Sequence, residues 1–178
     1  MRTTALAIAA AACLAAAPAS AGEIFAGAYA HGVETPLTFY TGEEGVDLQL
    51  GYRLGGIDAL AAVGKPAPYV MASLNTAGDT SFAGAGLSWK VCKGPLYVRP
   101  GVGFVVHDGP SERIDATSGM HTELGSRVLF APEIAVGAKV SERIGIEASW
   151  VHISHAQLFN GAQNPGIDMM GVRLNWSL

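Results

Sequence analysis

The amino-acid sequence predicts an all-β fold, an eight-stranded antiparallel transmembrane β-barrel of the outer membrane. Three observations support this prediction. The first residues have the pattern of an export signal, and the segments that follow alternate apolar and polar residues with a period of two. The composition combines 23 glycines in 178 residues with 49% apolar and only 15% charged residues. Glycine usually makes up about 7% of a protein, and this combination suits a barrel whose outer side faces lipid.

The export signal is predicted to occupy residues 1–21. A positively charged start precedes an apolar stretch at 5–17, and Ala19-Ser20-Ala21 matches the cleavage pattern of a secretory signal peptide. The apolar stretch is shorter than the roughly 20 residues that a membrane helix needs. Cys13 raises the alternative of a lipoprotein, but it leaves too short an apolar stretch before it. The sequence therefore predicts a signal peptide at 1–21 and an outer-membrane barrel at 22–178.

Eight segments of the predicted mature chain alternate as membrane strands do. Their lengths are close to the ~9–11 residues with which a tilted strand crosses a bilayer. The segments are 23–33, 46–54, 68–75, 81–91, 96–107, 128–140, 144–154 and 167–178. Long connections follow the first, fifth and seventh segments, whereas 141–143 is a tight turn, as expected for long external loops and short periplasmic turns. The connection 55–65 fits less well, because it is long for a periplasmic turn.

The final segment has the clearest alternation. Its apolar face consists of Met170, Val172, Leu174, Trp176 and Leu178, and its opposite face of Gly171, Arg173, Asn175 and Ser177. An apolar-out strand at the C-terminus resembles the assembly signal of outer-membrane proteins, although Leu178 is not aromatic. A soluble β-sandwich or lipocalin-like barrel, with the apolar face inward, is the alternative. Small residues on the opposite faces of several strands favour a narrow packed interior. They are Gly84, Gly86, Gly101, Gly103 and Gly137.

Three polar residues with complementary chemistry lie where the last two segments meet. His152 and Ser154 share the parity of Trp150, and Asp168 shares the parity of Met170, so all three are predicted on the outward, lipid-facing side. Polar groups at a lipid boundary are costly without partners. An imidazole activates a serine by accepting its proton, and a carboxylate orients the imidazole. The alternative is a set of ordinary interfacial polar residues where a strand leaves the membrane.

The residues around this set resemble a family signature. His-Ile-Ser-His-Ala at 152–156 and Asn-Pro-Gly-Ile-Asp at 164–168 are similar to the H-x-S-N-A and N-x-G-[IL]-[DE] motifs of PagL-type lipid A 3-O-deacylases. The resemblance implies an outer-membrane serine esterase that removes the 3-O-linked hydroxyacyl chain of lipid A in lipopolysaccharide, without a metal or organic cofactor. It implies the catalytic residues Ser154, His152 and Asp168, and the substrate-binding residues Asn164, Gly166 and His155.

Two positions depart from the family motif. Asp168 stands where the best-known members have glutamate, so the strand pair or the imidazole must compensate for one missing methylene. His155 stands where the family often has an asparagine near the oxyanion hole, so backbone N–H groups of 155–157 are the expected replacement.

The sequence also leaves two alternative function classes open and gives no support to a third. A non-enzymatic small barrel with a structural or adhesion function, and a soluble periplasmic ligand-binding barrel, are the alternatives to an esterase. The net charge of −4 gives no electrostatic case for nucleic acid. Cys92, alone in the predicted mature chain, allows no internal disulfide. The sequence leaves open whether the barrel forms a homodimer.

Overall fold

A computed structural model of the chain describes residues 22–36, 38, 41–109, 113–114, 121–122, 124–156 and 165–178. The predicted signal peptide and the predicted site residue Asn164 lie outside the described residues. No helix within the described ranges is long and apolar enough to cross a membrane.

Eleven β-strands and one 3-10 helix occur in the described residues. The strands are β1 (Glu23–His31), β2 (Val46–Arg53), β3 (Ala67–Asn75), β4 (Phe82–Ser88), β5 (Val91–Lys93), β6 (Leu96–His107), β7 (Arg113–Ile114), β8 (His121–Thr122), β9 (Val128–Lys139), β10 (Ile144–Ile153) and β11 (Ile167–Ser177). The 3-10 helix, Asp58–Val63, lies in the β2–β3 connection. This helix explains the length of that connection, which is folded and not an extended turn.

The main sheet closes on itself. Its strand order is β4-β3-β2-β1-β11-β10-β9-β6-β5, and β4 also pairs with β6, while β7 and β8 form a separate small sheet. All the pairings are antiparallel, and β1 pairs with β11 along its whole length. β4 and β5 follow one another along β6 in one register, so the nine strands form eight barrel strands, as predicted.

A proline explains why the fourth barrel strand is divided into β4 and β5. Ser88 pairs with Gly101, and Val91 pairs with Val98, so this register places Trp89 opposite Pro100. The backbone N–H of Trp89 donates to the carbonyl of Pro100 at 2.9 Å. Proline has no N–H with which to return the bond, and the ladder is interrupted there.

The barrel wall has an apolar outer face and a polar inner face. Along β11, Val172, Leu174 and Trp176 are exposed, whereas Arg173 and Asn175 between them are buried. The same alternation continues around the sheet, with exposed large apolar residues on most strands. A soluble sandwich or lipocalin-like barrel would have the opposite pattern, so that alternative is wrong.

Aromatic rings fill the interior where the paired residue on the neighbouring strand is glycine, as at Tyr97–Gly137 and Tyr69–Gly86. A Cβ added at Gly137 would lie 2.5 Å from Cζ of Tyr97, and a Cβ added at Gly86 would lie 2.7 Å from Cζ of Tyr69. Real Cβ atoms do not approach other atoms so closely, so the rings need glycine at these positions. The interior is therefore narrow and packed, as the small residues predicted.

Buried charged side chains lie beside these rings and form what we call the interior charge network. Its members are Glu23, Arg53, Arg99, Glu133, Glu147 and Arg173. Nε of Arg173 donates to Glu147 at 2.8 Å, and Nε of Arg99 donates to the same carboxylate at 2.7 Å. Nη1 of Arg173 donates to Glu133 at 3.1 Å. Opposite charges thus form ion pairs in the barrel interior, where unpaired charges would be very costly.

Candidate active site

β10 and β11 bring the predicted catalytic residues together at the end of the barrel that carries the long connections. His152 lies directly opposite Asp168 in the antiparallel pairing. Ser154 follows the last residue of β10 and forms an isolated bridge with Phe130 of β9. His152 and Asp168 occupy the outward parity of their strands, since the neighbouring residues Val151 and Met169 point into the interior core.

His152 joins Ser154 to Asp168 through its two ring nitrogens. Nε2 lies 2.9 Å from Oγ of Ser154, and Nδ1 lies 2.7 Å from Oδ1 of Asp168. Since an ionised carboxylate only accepts hydrogen bonds, Nδ1 carries a proton and donates it to Asp168. Nε2 of the neutral ring is then the acceptor that faces the serine hydroxyl. This is the arrangement in which an imidazole can remove a proton from serine.

The carboxylate of Asp168 is completely buried and has three donors. Nδ1 of His152 and Nε1 of Trp150, the latter at 2.9 Å, both donate to Oδ1, and the hydroxyl of Thr35 donates to Oδ2. The direct cross-strand position of Asp168 brings its short side chain to the imidazole. The strand pair thus supplies the reach that the missing methylene would have given.

The three residues are less open to lipid than strand parity alone predicted. His152 is 9% exposed, Ser154 6% and Asp168 0%. Parity correctly gave their side of the wall, but it carries no information about the connections that fold over it. Thr35 of the β1–β2 connection contacts Asp168, and Gly166 at the start of β11 lies against the ring of His152.

Position 166 in the site requires glycine for two physical reasons. Its φ of +58° belongs to the left-handed region, which residues with a Cβ seldom adopt. A Cβ at this position would also lie 2.6 Å from Cε1 of His152. Glycine is therefore the residue that lets the start of β11 pass beside the imidazole.

Of the other predicted site positions, His155 lies among the described residues, whereas Asn164 does not. His155 is 1% exposed, directly after Ser154, and the chain turns sharply at Ala156, which has a φ of +52°. The backbone N–H of Ser154 donates to the carbonyl of Phe130 at 3.1 Å. This N–H is therefore already bonded in the bridge to β9 and is not an available donor for an oxyanion. Gln157, like Asn164, lies outside the described residues.

Sequence reasoning missed Thr35 and the polar contact of Trp150. Trp150 was assigned to the outward apolar face, and its shared parity with His152 was the signal that its indole N–H could reach the same carboxylate. Thr35 is 133 residues from Asp168, and only the closure of the barrel brings the two together. The described residues contain no group of three or more His, Cys, Asp or Glu side chains arranged to hold a metal ion.

The model of one protein family, lipid A 3-O-deacylase (PagL), matches residues 36–177. The chain belongs to this family. Membership makes the protein an ester hydrolase of the outer membrane, so the predicted family, enzyme class and location are confirmed. The alternatives of a non-enzymatic barrel and of a soluble periplasmic barrel do not fit this membership. A comparison with curated protein sequences found no match.

Solved structures with the same fold are also outer-membrane barrels. The crystal structure of the outer membrane enzyme PagL has a TM-score of 0.61 and 16% identity, covering 88% of this chain and 99% of that chain. The N-terminal β-barrel domain of Pseudomonas aeruginosa OprF has a TM-score of 0.57 and 8% identity, covering 89% and 97%. Neisserial surface protein A has a TM-score of 0.57 and 10% identity, covering 88% and 97%. At these identities the similarity shows the fold alone, and it confirms the predicted barrel.

Proposed function

We propose that this protein hydrolyses the 3-O-linked acyl ester of lipid A with Ser154 as the nucleophile, His152 as the general base and acid, and Asp168 as the group that orients His152. One observation carries the proposal. In a member of the lipid A 3-O-deacylase family, a hydrogen-bonded chain runs from Asp168 through His152 to Ser154 on the outward face of the barrel.

The reaction follows from this geometry in two steps. His152 Nε2 accepts the hydroxyl proton while Oγ of Ser154 attacks the ester carbonyl carbon. The imidazolium then returns the proton to the sugar oxygen as that C–O bond breaks, which leaves an acyl-serine and a free 3-hydroxyl. A water molecule that gives its proton to His152 hydrolyses the acyl-serine in the same way and releases the fatty acid. Asp168 remains ionised throughout and stabilises the imidazolium.

The surroundings of Ser154 suit a substrate held in the outer leaflet. Phe130, the bridge partner of Ser154, packs against Phe104 of the neighbouring strand with ring centroids 4.8 Å apart. Phe104 is 55% exposed on the outer face. An acyl chain that enters from the leaflet would therefore contact apolar rings beside the serine. All three reactive groups come from one chain, so the proposed chemistry does not require a homodimer.

Lipid A from cells that express wild-type protein or Ser154→Ala tests the proposal by mass spectrometry. Wild-type protein is expected to remove one 3-O-linked hydroxyacyl chain. Ser154→Ala is expected to slow this reaction by about 10³-fold or more, as loss of a nucleophile does in comparable hydrolases.

Ser149→Ala is the matched control, because Ser149 lies on the same strand but faces the interior and hydrogen bonds to Tyr29 at 2.6 Å. Barrel assembly of each variant is checked by heat-dependent mobility in gels. Wild-type deacylation by assembled Ser154→Ala would overturn the proposal.

We also propose that residues 1–21 are removed on export and that 22–178 form the mature barrel. The cleavage pattern Ala19-Ser20-Ala21 supports this division. N-terminal sequencing of protein purified from outer membranes is expected to begin at Gly22. A start elsewhere would contradict the predicted cleavage site.

A further inference from the structure

The carboxylate of Asp168 also accepts hydrogen bonds from two residues outside the proposed catalytic set, Trp150 and Thr35. Oδ1 accepts hydrogen bonds from His152 and from the indole N–H of Trp150, whereas Oδ2 accepts one from the hydroxyl of Thr35. The side chain is 0% exposed. Each of these donors replaces hydration that the carboxylate loses on burial, and donors to a charged acceptor count for more than neutral ones.

Oδ2 matters because a carboxylate rotates easily about its last torsion angle, for which the energy wells are broad. Donors to Oδ1 alone restrain this torsion angle through one oxygen only. A donor to Oδ2 restrains it through the second oxygen as well and narrows the range of planes that the group can adopt. The plane sets the direction of the Oδ1 lone pair toward Nδ1 of His152, and thereby the orientation of Nε2 toward Ser154.

The backbone around Thr35 is shaped to bring its hydroxyl to this position. After β1, Gly32 turns the chain with a φ of +66°, where a Cβ would lie only 2.0 Å from the carbonyl oxygen of Glu43. The N–H of Val33 then donates to the backbone carbonyl of Asp168 at 2.9 Å, which continues the β1–β11 contact past the end of β1. The N–H of Thr38 donates to the carbonyl of Thr35 at 3.2 Å.

The far side of the same connection is tied to the interior. Glu43 lies 2.8 Å from Nε2 of His31 and accepts a 2.7 Å hydrogen bond from the hydroxyl of Thr80. Nδ1 of His31 in turn lies 3.0 Å from Asp47. His31, Glu43 and Asp47 are buried. The β1–β2 connection is thus held near both ends, by Val33 against β11 and by Glu43 in the interior.

We propose that Thr35 is a positioning residue of the active site, whose hydroxyl holds Oδ2 of Asp168 so that Oδ1 keeps His152 aligned with Ser154. This inference deepens the proposed function and rests on it. In this inference Thr35 acts through Asp168, the carboxylate that it contacts. It lies one residue before the stretch that the family model matches.

Steady-state deacylation of lipid A in detergent micelles by purified variants tests the inference. Thr35→Val keeps the shape of the side chain and removes its hydroxyl, and it is expected to lower kcat by about 10–100-fold with an unchanged apparent KM, as misaligned catalytic groups do. Thr35→Ser keeps the hydroxyl and is expected to restore kcat to within about 3-fold of wild type. Thr76→Val, at an exposed threonine of the β3–β4 connection, is the matched control.

A double-variant cycle shows whether Thr35 acts through Asp168. Asp168→Ala is expected to abolish most activity, and adding Thr35→Val to it is expected to change nothing more, because the group that Thr35 holds is already absent. Losses that multiply in the double variant would overturn the inference. Thr35→Ala gives the same comparison if Thr35→Val does not assemble.

The outcomes separate the two proposals. If Ser154→Ala is inactive while Thr35→Val and Thr35→Ala match wild type in kcat, Thr35 has no positioning function and the proposed chemistry stands. If Ser154→Ala retains activity, the proposed chemistry fails first. A rise in apparent KM without a fall in kcat would place Thr35 in substrate binding and also overturn the inference.

Discussion

Two polar pairs join β10 to β11 on opposite sides of the barrel wall. Glu147 lies directly opposite Arg173, and His152 lies directly opposite Asp168, in one continuous register. Residues 147 and 152 differ in parity, so the first pair points inward and the second outward. Both pairs are buried. They differ in what surrounds them and in whether a proton can move between their members.

The inner pair belongs to a closed set of opposite charges. Glu147 accepts from Arg173 and from Arg99, and a guanidinium does not release its proton in proteins. The outer pair instead contains an imidazole, which can accept a proton at one ring nitrogen while it donates at the other, and its second nitrogen faces a hydroxyl. The same strand geometry thus supports stability on one face and provides for proposed proton transfer on the other.

His152→Gln is expected to separate the two pairs most strongly. The glutamine amide can still donate to Asp168, but it cannot accept the serine proton, so deacylation is expected to fall by about 10³-fold or more. Unfolding in denaturant, followed by tryptophan fluorescence in lipid vesicles, is expected to stay near wild type. Deacylation at the wild-type rate would show that the outer pair is structural like the inner one.

Glu147→Gln is expected to have the converse effect. It leaves Arg173 and Arg99 facing a neutral amide inside the wall, and it is expected to reduce the free energy of unfolding by roughly 3–5 kcal/mol, as for other broken buried ion pairs. The deacylation rate per folded molecule is expected to stay within about 3-fold of wild type, because the two pairs face opposite sides of the barrel wall.

Asp58→Asn is the control for removal of a carboxylate from the protein. A hydrogen bond from Lys65 lowers the pKa of Asp58, but both side chains are exposed, and such pairs contribute little to stability. An unfolding midpoint that moves as far in Asp58→Asn as in Glu147→Gln would contradict the distinction between interior and surface charges.

Gly166→Ala is expected to have a modest effect on folding and a selective effect on the outer pair. Gly166 and Gly78 both have positive φ, +58° and +91°, but a Cβ at Gly78 would meet no atom within 4 Å. Each alanine is expected to cost about 1–2 kcal/mol of backbone strain. Only Gly166→Ala would also displace the His152 ring, with a loss of about 100-fold in deacylation. Equal activities of the two variants would contradict the assigned contact.

The barrel and the central contact of the site could be predicted because both depend on strand periodicity. Alternation gave the eight barrel strands, and the antiparallel register placed Asp168 beside His152. The division of the fourth barrel strand was also readable in principle, since Pro100 lacks the N–H that the ladder needs opposite Trp89.

Contacts made by connections could not be predicted in this way. Thr35 lies in a connection with no periodic pattern, and it meets Asp168 only because β1 pairs with β11 to close the sheet. The low exposure of His152 and Ser154 has the same origin. Strand parity gives the side of the wall on which a residue lies, but not the connections that cover it. The roles of His155 and Asn164 stay predictions.

The packed interior decides where the products of any ester cleaved at Ser154 can travel. Tyr97 and Tyr69 lie over glycines of the neighbouring strands, and Arg53 and Arg173 are also buried in the interior. In the described residues these side chains obstruct the barrel axis, so a released fatty acid is expected to diffuse sideways in the leaflet from which the substrate came. The deacylated lipid stays in that leaflet as well. The reaction would therefore change the lipid composition of one leaflet without transporting anything across the membrane.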